Sequence, residues 1–375
     1  MLFITKEHLK PGMVLARDIN LYCDDDKNLI TLLLSKGQVL NQVFINKIIF
    51  HDIAGAYIEN DAFNDISIEP VIDSKLEARA VSEIKEVFSE FKSCTGKINT
   101  LSVKKISKVV DDLIADILNK KELSNNIIEF KNHDCYTYFH CLNVAVLSIT
   151  TGISLGLSEH MLHELGVAGL FHDIGKMLIP LEIINKKEML TKEEFEIMKK
   201  HPKNAVKQLE HLVSYDILRG IENHHEKLDG SGYPYGRKNG NIHLYGKILA
   251  ICDVYDALTS DRSYRKTCFP SEVIEYIMGC AGSHFDYDIL CKFLKNIVAY
   301  PLGTFVKLSV GSIGVVIKNY PENIMRPVIR IINQDNTVGE DMDLLYDHNL
   351  MNVTITGMGY NYDSIDYNKI SKPAE

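Results

Sequence analysis

The chain has 375 residues, which is more than one typical domain and excludes a single small binding module. Hydrophobic residues make up 46% of it and charged residues 24%, a balance that excludes disorder over most of the length. The formal net charge of −9 provides no overall attraction to polymeric nucleic acid or anionic lipid. Any anionic ligand must therefore be held by local positive charge.

Apolar runs and cysteines indicate the compartment of the protein and the redox state of its thiols. No apolar run approaches the ~20 residues of a membrane span, and charged residues appear too early for a signal peptide. The eight cysteines form no CxxC pair, which indicates reduced, buried thiols rather than disulfides or a zinc ribbon. We therefore expect a cytoplasmic protein without membrane insertion.

The N-terminal part of the chain predicts a small domain and a linker. Residues 1–60 contain short β-like stretches with turn punctuation and one short helical stretch, which predicts an α+β or β-rich domain. The segment 61–74 is acidic, contains Pro70 and has no helical period, so it is interpreted as a linker.

Residues 75–300 have a dominant helical period, which predicts an all-α bundle. An apolar stripe from Leu101 to Leu118 recurs at three- and four-residue intervals; it could be a homodimer seam, but core packing is the favoured interpretation. Further helices are predicted over Tyr136–Gly152, Ser158–Phe171, Thr191–Lys200, Asn204–His211, Tyr215–His225, Gly246–Ser260, Ser271–Cys280 and Asp286–Val298.

After Pro301 the sequence pattern changes from helical to β-like. β-Branched runs separated by Gly, Asn and Asp turns predict a small antiparallel β appendage over 301–358, and 359–375 is predicted to be a loose tail. The predicted fold class is thus multidomain and mainly α, with a helical bundle flanked by two small units.

Seven polar residues within the helical region have the chemistry of a metal centre. Five imidazoles and two carboxylates make a donor set of mixed nitrogen and oxygen character. They are too many for one ion and suit two divalent ions bridged by a shared carboxylate and a water. The candidate ligands are His140, His172, Asp173, His201, His224, His225 and Asp253.

Several of these residues also have an ordinary structural explanation. His140 alone could be a hydrogen-bonded core residue, and His201, before Pro202, could be a helix-end histidine. The adjacent pair His172 and Asp173 is different, because a buried carboxylate beside an apolar run is costly unless a cation compensates it.

Two further features add to the site. Asp253 and Asp256 lie three residues apart on one helical face, where two like charges repel unless a cation lies opposite Asp253. Asp256 would then take part in ligand binding or a hydrogen-bond network. The loop 229–234 follows the histidine pair, and its glycines permit positive φ and close backbone approach to a ligand.

The segments FHDIGK, NHHEKLDGSGYP and CDVYDALTSDRSYR resemble the HD-GYP subgroup of the HD-domain metal-dependent phosphohydrolases, over about residues 131–298. The resemblance implies an all-α HD-type helical bundle. It also implies a bacterial enzyme that hydrolyses cyclic di-GMP with iron or manganese, to linear pGpG or onward to GMP. Some members act on cyclic GMP-AMP instead.

Carried over by position, the resemblance implies a role for each site residue. His140, His172, Asp173 and Asp253 would hold one metal, and His201, His224 and His225 a second, with Asp173 bridging. Asp173 and Lys176 would be catalytic. Residues expected to contact or support the substrate are Asp134, Lys176, Gly232, Tyr233, Pro234, Asp256, Arg262 and Arg265. Members with a third metal have a glutamate where this chain has Tyr136, so two metals are expected.

The expected mechanism uses a metal-bridging hydroxide as nucleophile, because paired cations lower the pKa of a water and stabilise the in-line transition state. Lys176 would clamp a phosphate oxygen, and Arg262 and Arg265 offer bidentate forks. Three alternatives stay open: a cyclic dinucleotide sensor or interaction protein with negligible turnover, a phosphodiesterase preferring cyclic GMP-AMP, and a general HD nucleotidase. Homodimerisation and signalling partners also stay open.

Overall fold

The structure is a computed structural model. It describes residues 1–22, 30–68, 70–93, 98–120, 136–186, 188–260, 269–358, 365, 367 and 369–371.

Residues 1–58 contain short strands and one helix, in agreement with the predicted α+β domain. In chain order the elements are β1 (Leu2–Thr5), β2 (Ile19–Tyr22), β3 (Ile30–Leu34), α1 (Gln42–Phe50) and β4 (Gly55–Ile58). β1 pairs with β4 and β2 pairs with β3, both antiparallel. α1 begins after Asn41, whose side chain accepts a hydrogen bond from the Phe44 backbone N–H.

The middle of the chain is helical, as its period predicts. The helices are α2 (Ser74–Ser93), α3 (Thr100–Leu118), α4 (Tyr136–Ser154), α5 (Glu159–Phe171), α6 (Leu181–Ile184), α7 (Lys192–Met198), α8 (His201–Leu209), α9 (Tyr215–Asn223), α10 (Leu244–Thr259), α11 (Pro270–Gly279) and α12 (Tyr287–Phe293). Each helix predicted between Tyr136 and Val298 is present. The last one ends earlier than predicted, because Leu294–Asn296 form a 3-10 turn.

The helices bury their apolar faces in one core. In α3 the stripe residues Ile106, Val110, Leu113 and Ile117 are fully buried within this chain, which confirms the core interpretation of that stripe. α4 packs on α5 and α10, and α9 packs on α5 and α10. These four helices therefore bring widely separated segments of the chain together.

The C-terminal part forms the predicted antiparallel sheet. Its strands are β5 (Phe305–Leu308), β6 (Ile313–Lys318), β7 (Val328–Ile332), β8 (Val338–Asp343) and β9 (Ile355–Met358), in the spatial order β8-β7-β6-β5-β9. The first four follow one another as hairpins, and β9 returns to pair with β5.

The N-terminal unit and the C-terminal sheet share one hydrophobic cluster, which the sequence did not predict. Phe3 is buried with Phe305, and the Phe3 backbone N–H donates to the Gly303 carbonyl at 2.9 Å. Across the same boundary, Arg330 donates to the Ala62 carbonyl and pairs with Asp65. The two flanking regions therefore form a single body.

Two predicted irregular segments contribute to this shared core. Phe63, Ile66 and Ile68, within the predicted linker, are buried there. In the predicted loose tail, the described residues Ile365, Tyr367 and Ile370 are buried as well, a correction to that prediction. Their apolar side chains explain the difference, because burying them removes apolar surface from water.

Among the residues that the structure describes, no helix combines the length and apolar character needed to cross a membrane.

Candidate metal centre

The seven candidate ligands come from five places in the helical region. His140 lies within α4, and Asp253 lies within α10. The others lie at helix ends: His172 and Asp173 follow α5, His201 begins α8, and His224 and His225 follow α9. All are buried except His225, which is partly buried.

The first donor group consists of His140, His172 and Asp173, whose ligand atoms lie within 4.8 Å of one another. Asp253 adjoins this group, since its Oδ1 lies 3.0 Å from His140 Nε2 and 3.9 Å from His172 Nε2. The structure therefore brings together the four residues predicted to hold one metal.

The second donor group consists of Asp173, His201, His224 and His225, again within 4.8 Å. Asp173 belongs to both groups: its Oδ1 lies 3.4 Å from His201 Nε2, and its Oδ2 lies 3.4 Å from His172 Nε2. This is the placement required of a carboxylate shared by two ions. The ligand roles themselves stay predictions.

Three of the histidines have their tautomer fixed by the backbone. In each, Nδ1 lies within hydrogen-bond distance of the carbonyl three residues earlier, so Nδ1 carries the proton and Nε2 presents a lone pair. The contacts are His172 to Gly169 at 2.7 Å, His201 to Met198 at 2.9 Å, and His224 to Ile221 at 2.6 Å.

This arrangement is unfavourable without a cation. With Nδ1 protonated, the Nε2 atoms of His201 and His224 face each other as two acceptors 3.3 Å apart. His172 Nε2 and Asp173 Oδ1 are buried and have no hydrogen-bond partner among the described residues. Buried polar atoms of this kind are costly unless they are paired or bind a metal. The residues present therefore fit the implied metal ions.

Burial keeps the three histidines of the second donor group neutral. It lowers the pKa of His201 to about 4 and that of His224 to about 3, and it lowers the pKa of His225 well below its usual value. Only neutral imidazole binds a metal, so these histidines need not lose a proton at neutral pH.

The other charged groups behave differently. Burial disfavours the protonated form of His140, but hydrogen bonds with Asp253 and Asp256 outweigh it and raise the pKa of His140 to about 9. Burial likewise opposes ionisation of Asp173, but His172 and Lys176 hold its pKa well below the usual range. Metal binding should therefore release the His140 proton.

These pKa values predict that the metal-free protein loses stability as pH falls from 6.5 to about 4. The unfolded chain protonates His201 and His224 near pH 6.5, whereas the folded chain does not until pH 4 or below. Two such protons lower the free energy of unfolding by up to about 2.7 kcal/mol per pH unit. His140 acts in the opposite direction, because its contribution is complete below pH 6.5 and is lost as pH rises towards 9.

Urea unfolding of chelator-treated protein between pH 4.5 and 6.5 measures this slope. A His201→Gln variant, which cannot take up the proton, should show a shallower slope. A midpoint that stays constant over this pH range in the unmodified chain would contradict the prediction.

Asp256 supports the first donor group rather than facing the substrate. It is buried, its Oδ2 accepts from His140 Nδ1 at 2.7 Å, and its Oδ1 accepts from Asn143 Nδ2 at 2.6 Å. With both oxygens occupied, it takes part in the hydrogen-bond network that was one of the two roles predicted for it. Its carboxylate orients His140 so that Nε2 faces the other ligands.

Replacing Asp256 with Asn should weaken metal binding by about 10- to 100-fold, the usual cost of losing a carboxylate behind a ligand histidine. Titration of metal against a competing chelator measures this. Asn143→Ala is the matched control, since it removes the other partner of Asp256 but leaves the contact with His140. Unchanged metal affinity in Asp256→Asn would refute this role.

Lys176 lies in the 3-10 turn that follows Asp173. Its Nζ is 2.5 Å from Asp173 Oδ2, and its side chain is 26% exposed, whereas that of Asp173 is buried. Lys176 therefore lies between the buried donor groups and solvent, as expected for a residue that contacts an anionic ligand.

Two glycines allow the site segments to approach closely. A Cβ on Gly175, in FHDIGK, would lie 2.0 Å from the His201 carbonyl oxygen, so only glycine lets this turn pack on α8. A Cβ on Gly232 would lie 2.5 Å from the His225 carbonyl oxygen. Gly232 therefore packs against the backbone of the histidine pair, and its predicted approach to the substrate stays a prediction.

The GYP loop is built around His225. The Tyr233 ring lies on the His225 ring with centroids 4.6 Å apart, and the Tyr233 backbone N–H donates to the His225 carbonyl. Pro234 follows Tyr233 in the same loop. The loop thus holds the most exposed candidate ligand, and the predicted substrate contacts of Tyr233 and Pro234 stay predictions.

Glu226 is a functional residue that the sequence analysis missed. It is buried, and its two carboxylate oxygens accept from the backbone N–H groups of Tyr235 and Arg237, each at 2.8 Å. It therefore ties the GYP loop to the histidine pair. The sequence signal for this role was the position of Glu226 between a histidine pair and a glycine-rich loop.

Some predicted positions cannot be placed. Asp134, Arg262 and Arg265 lie outside the described residues. Tyr136 begins α4, but its side chain is likewise outside the description.

Known proteins are similar to the part of the chain that contains this site. The HD domain family model matches residues 112–289. The cyclic di-GMP phosphodiesterase PA4108 of Pseudomonas aeruginosa is 37% identical over 227 residues, which are 60% of this chain and 55% of that protein. The cyclic di-GMP phosphodiesterase PdeB of Borreliella burgdorferi is 32% identical over 204 residues, 54% of each chain.

A third relative has a different named substrate. The 3'3'-cGAMP-specific phosphodiesterase 1 of Vibrio cholerae is 35% identical over 162 residues, 43% of this chain and 37% of that protein. The chain spans little more than half the length of the first two relatives. All seven candidate ligands fall inside residues 112–289, the region that matches the HD domain family model.

Proposed function

We propose that this chain is a metal-dependent phosphodiesterase that hydrolyses cyclic di-GMP to linear pGpG. The observation that carries the proposal is the pair of buried donor groups that share Asp173. Two relatives named as cyclic di-GMP phosphodiesterases support the substrate. Formation of GMP is a further step that the assay below resolves.

The donor set favours two divalent ions, iron or manganese. Five imidazole nitrogens suit iron, and the carboxylates suit manganese, whereas soft thiolates are absent from both donor groups among the described residues. Two such ions would supply Lewis acidity, activating a water and offsetting the charge that develops on the phosphoryl oxygens.

The chain's own residues prepare the site for this chemistry. Asp256 accepts a hydrogen bond from His140 Nδ1–H, which points His140 Nε2 towards the other candidate ligands. Lys176 helps to keep Asp173 ionised, and its partly exposed ammonium group can bind an incoming phosphate oxygen. His225 is the most exposed ligand, so the substrate approaches beside it and Tyr233.

Cyclic GMP-AMP is the second candidate substrate, because one relative is named as specific for it. The two substrates share the phosphodiester ring and differ in one purine. The metal groups and Lys176 act on the shared phosphodiester, so base contacts outside the donor groups must discriminate between them.

A product-resolved assay of anaerobically purified protein tests the proposal. The protein is loaded with Fe²⁺ or Mn²⁺ and incubated with cyclic di-GMP or cyclic GMP-AMP, and the linear dinucleotide and mononucleotides are separated. We expect turnover that stops on addition of chelator. Tight binding without product would contradict the proposal and identify a sensor instead.

We place the protein in the cytoplasm. Cys141 and Cys252 are buried free thiols, as is usual in a reducing compartment. We also propose that signalling partners or a second copy of the chain bind the protein, which size-exclusion chromatography with light scattering tests.

A further inference from the structure

A row of aromatic rings leads from the candidate metal centre to solvent. Tyr233 lies 4.6 Å from His225, and Phe195 of α7 lies 6.0 Å from Tyr233, with the last two ring planes at 81°. Phe195 is 45% exposed. The row therefore begins at a candidate ligand and ends at a large apolar ring in contact with water.

Phe195 is held in place from both ends of α7. Thr191 and Glu194 form a capping box at the helix start, and Lys186 pairs with Glu194. At the helix end, the Met198 carbonyl accepts a hydrogen bond from His201 Nδ1–H. Because α7 is bonded directly to a candidate ligand, the Phe195 ring keeps a set position relative to the donor groups.

One cationic side chain lies beside the Phe195 ring. Lys199 Nζ lies 5.3 Å from the centroid of the Phe195 ring and pairs with Glu196. Scattered exposed apolar residues are normal on protein surfaces. Phe195 differs from the even more exposed Met189 because ring contacts connect it to the site.

We propose that Phe195 is the stacking platform for one purine base of the cyclic dinucleotide, a role that rests on the proposed function. A phosphodiester held at the donor groups carries its base outward past His225 and Tyr233, towards the Phe195 ring. Stacking on an aromatic side chain contributes about 1–3 kcal/mol per base and tolerates any base. Phe195 therefore contributes to affinity for purine nucleotides in general and does not select guanine over adenine.

A fluorescence experiment tests binding independently of turnover. The chain contains no tryptophan, so Phe195→Trp introduces a single reporter at the subsite. Rapid mixing of the metal-loaded variant with cyclic di-GMP should quench its fluorescence at once, with saturation. Phe50→Trp, at a highly exposed ring of the N-terminal unit, is the control and should not respond. No quenching in Phe195→Trp would overturn the proposal.

Kinetics test the same role in the enzyme. Phe195→Ala should raise KM for cyclic di-GMP by about 5- to 150-fold, with the loss in KM rather than kcat. Cyclic GMP-AMP should show a similar increase, and Phe195→Tyr should restore most of the affinity. Met189→Ala is the control and should match the unmodified enzyme.

The two experiments separate failure of this inference from failure of the proposed function. An unmodified enzyme that turns over cyclic di-GMP, together with an unchanged KM in Phe195→Ala, overturns the stacking role alone. An unmodified chain without turnover refutes the phosphodiesterase, while saturable quenching in Phe195→Trp would still support the base subsite.

Discussion

Asp173→Ala should abolish metal binding and turnover together. Asp173 is the one residue common to both donor groups, and its two oxygens face His201 and His172 separately. Its removal deletes a ligand from each group at once and takes away the buried negative charge that would balance the cations. We expect metal content per chain to fall towards zero and turnover to fall by about 1000-fold or more.

Elemental analysis and the product-resolved assay on the same preparations measure these losses. Lys176→Ala is the matched control, because it removes the partner of Asp173 but no candidate ligand. It should keep the metal and lose substrate affinity. Equal metal content in Asp173→Ala and the unmodified protein would refute the bridging role, and circular dichroism verifies that the helices remain folded.

Gly175→Ala should destabilise the helical domain and damage the second donor group. The added Cβ would lie 2.0 Å from the His201 carbonyl oxygen and 2.7 Å from the Ala205 backbone nitrogen. Both are backbone atoms that cannot rotate away, so the turn carrying Asp173 must move off α8. Overpacking of this kind costs about 1–3 kcal/mol, which lowers Tm by several degrees.

Gly279→Ala provides the control for Gly175→Ala. It lies at the end of α11, and nothing lies within 4 Å of the added Cβ. Its Tm and metal content should equal or exceed those of the unmodified protein, since alanine favours a helix over glycine. If Gly175→Ala behaved like this control, the packing argument would be wrong.

The sequence predicted the elements of the site well, because local patterns determine them. The apolar helical period located the helices, and the chemistry of adjacent residues such as His172 and Asp173 identified the polar groups that needed compensation. Which groups meet is a tertiary property. The family resemblance assigned the ligand sets, and the structure brings the same residues together.

The sequence was least informative where long-range contacts decide the outcome. Asp253 and Asp256 share a helix face in the sequence, but only the position of α4 shows that Asp256 faces His140 and Asn143. Gly232 lies against the His225 carbonyl oxygen, a contact that the loop sequence did not indicate, and its predicted approach to a ligand stays a prediction. A local sequence pattern does not indicate which residue of another helix or loop will lie beside it in the fold.

The union of the two chain ends has a consequence for biosynthesis. The Phe3 backbone N–H donates a hydrogen bond to the Gly303 carbonyl. At ordinary elongation rates Phe3 leaves the ribosome roughly 15–60 s before Gly303. Throughout that interval the nascent N-terminal unit lacks the C-terminal members of its hydrophobic cluster, and the helical domain is still being synthesised; these members are Phe305, Val315, Ile332, Ile365, Tyr367 and Ile370. The shared core therefore closes only after the helical domain has been made, and a chain that terminated after the helices would leave the N-terminal part of this apolar cluster exposed to solvent.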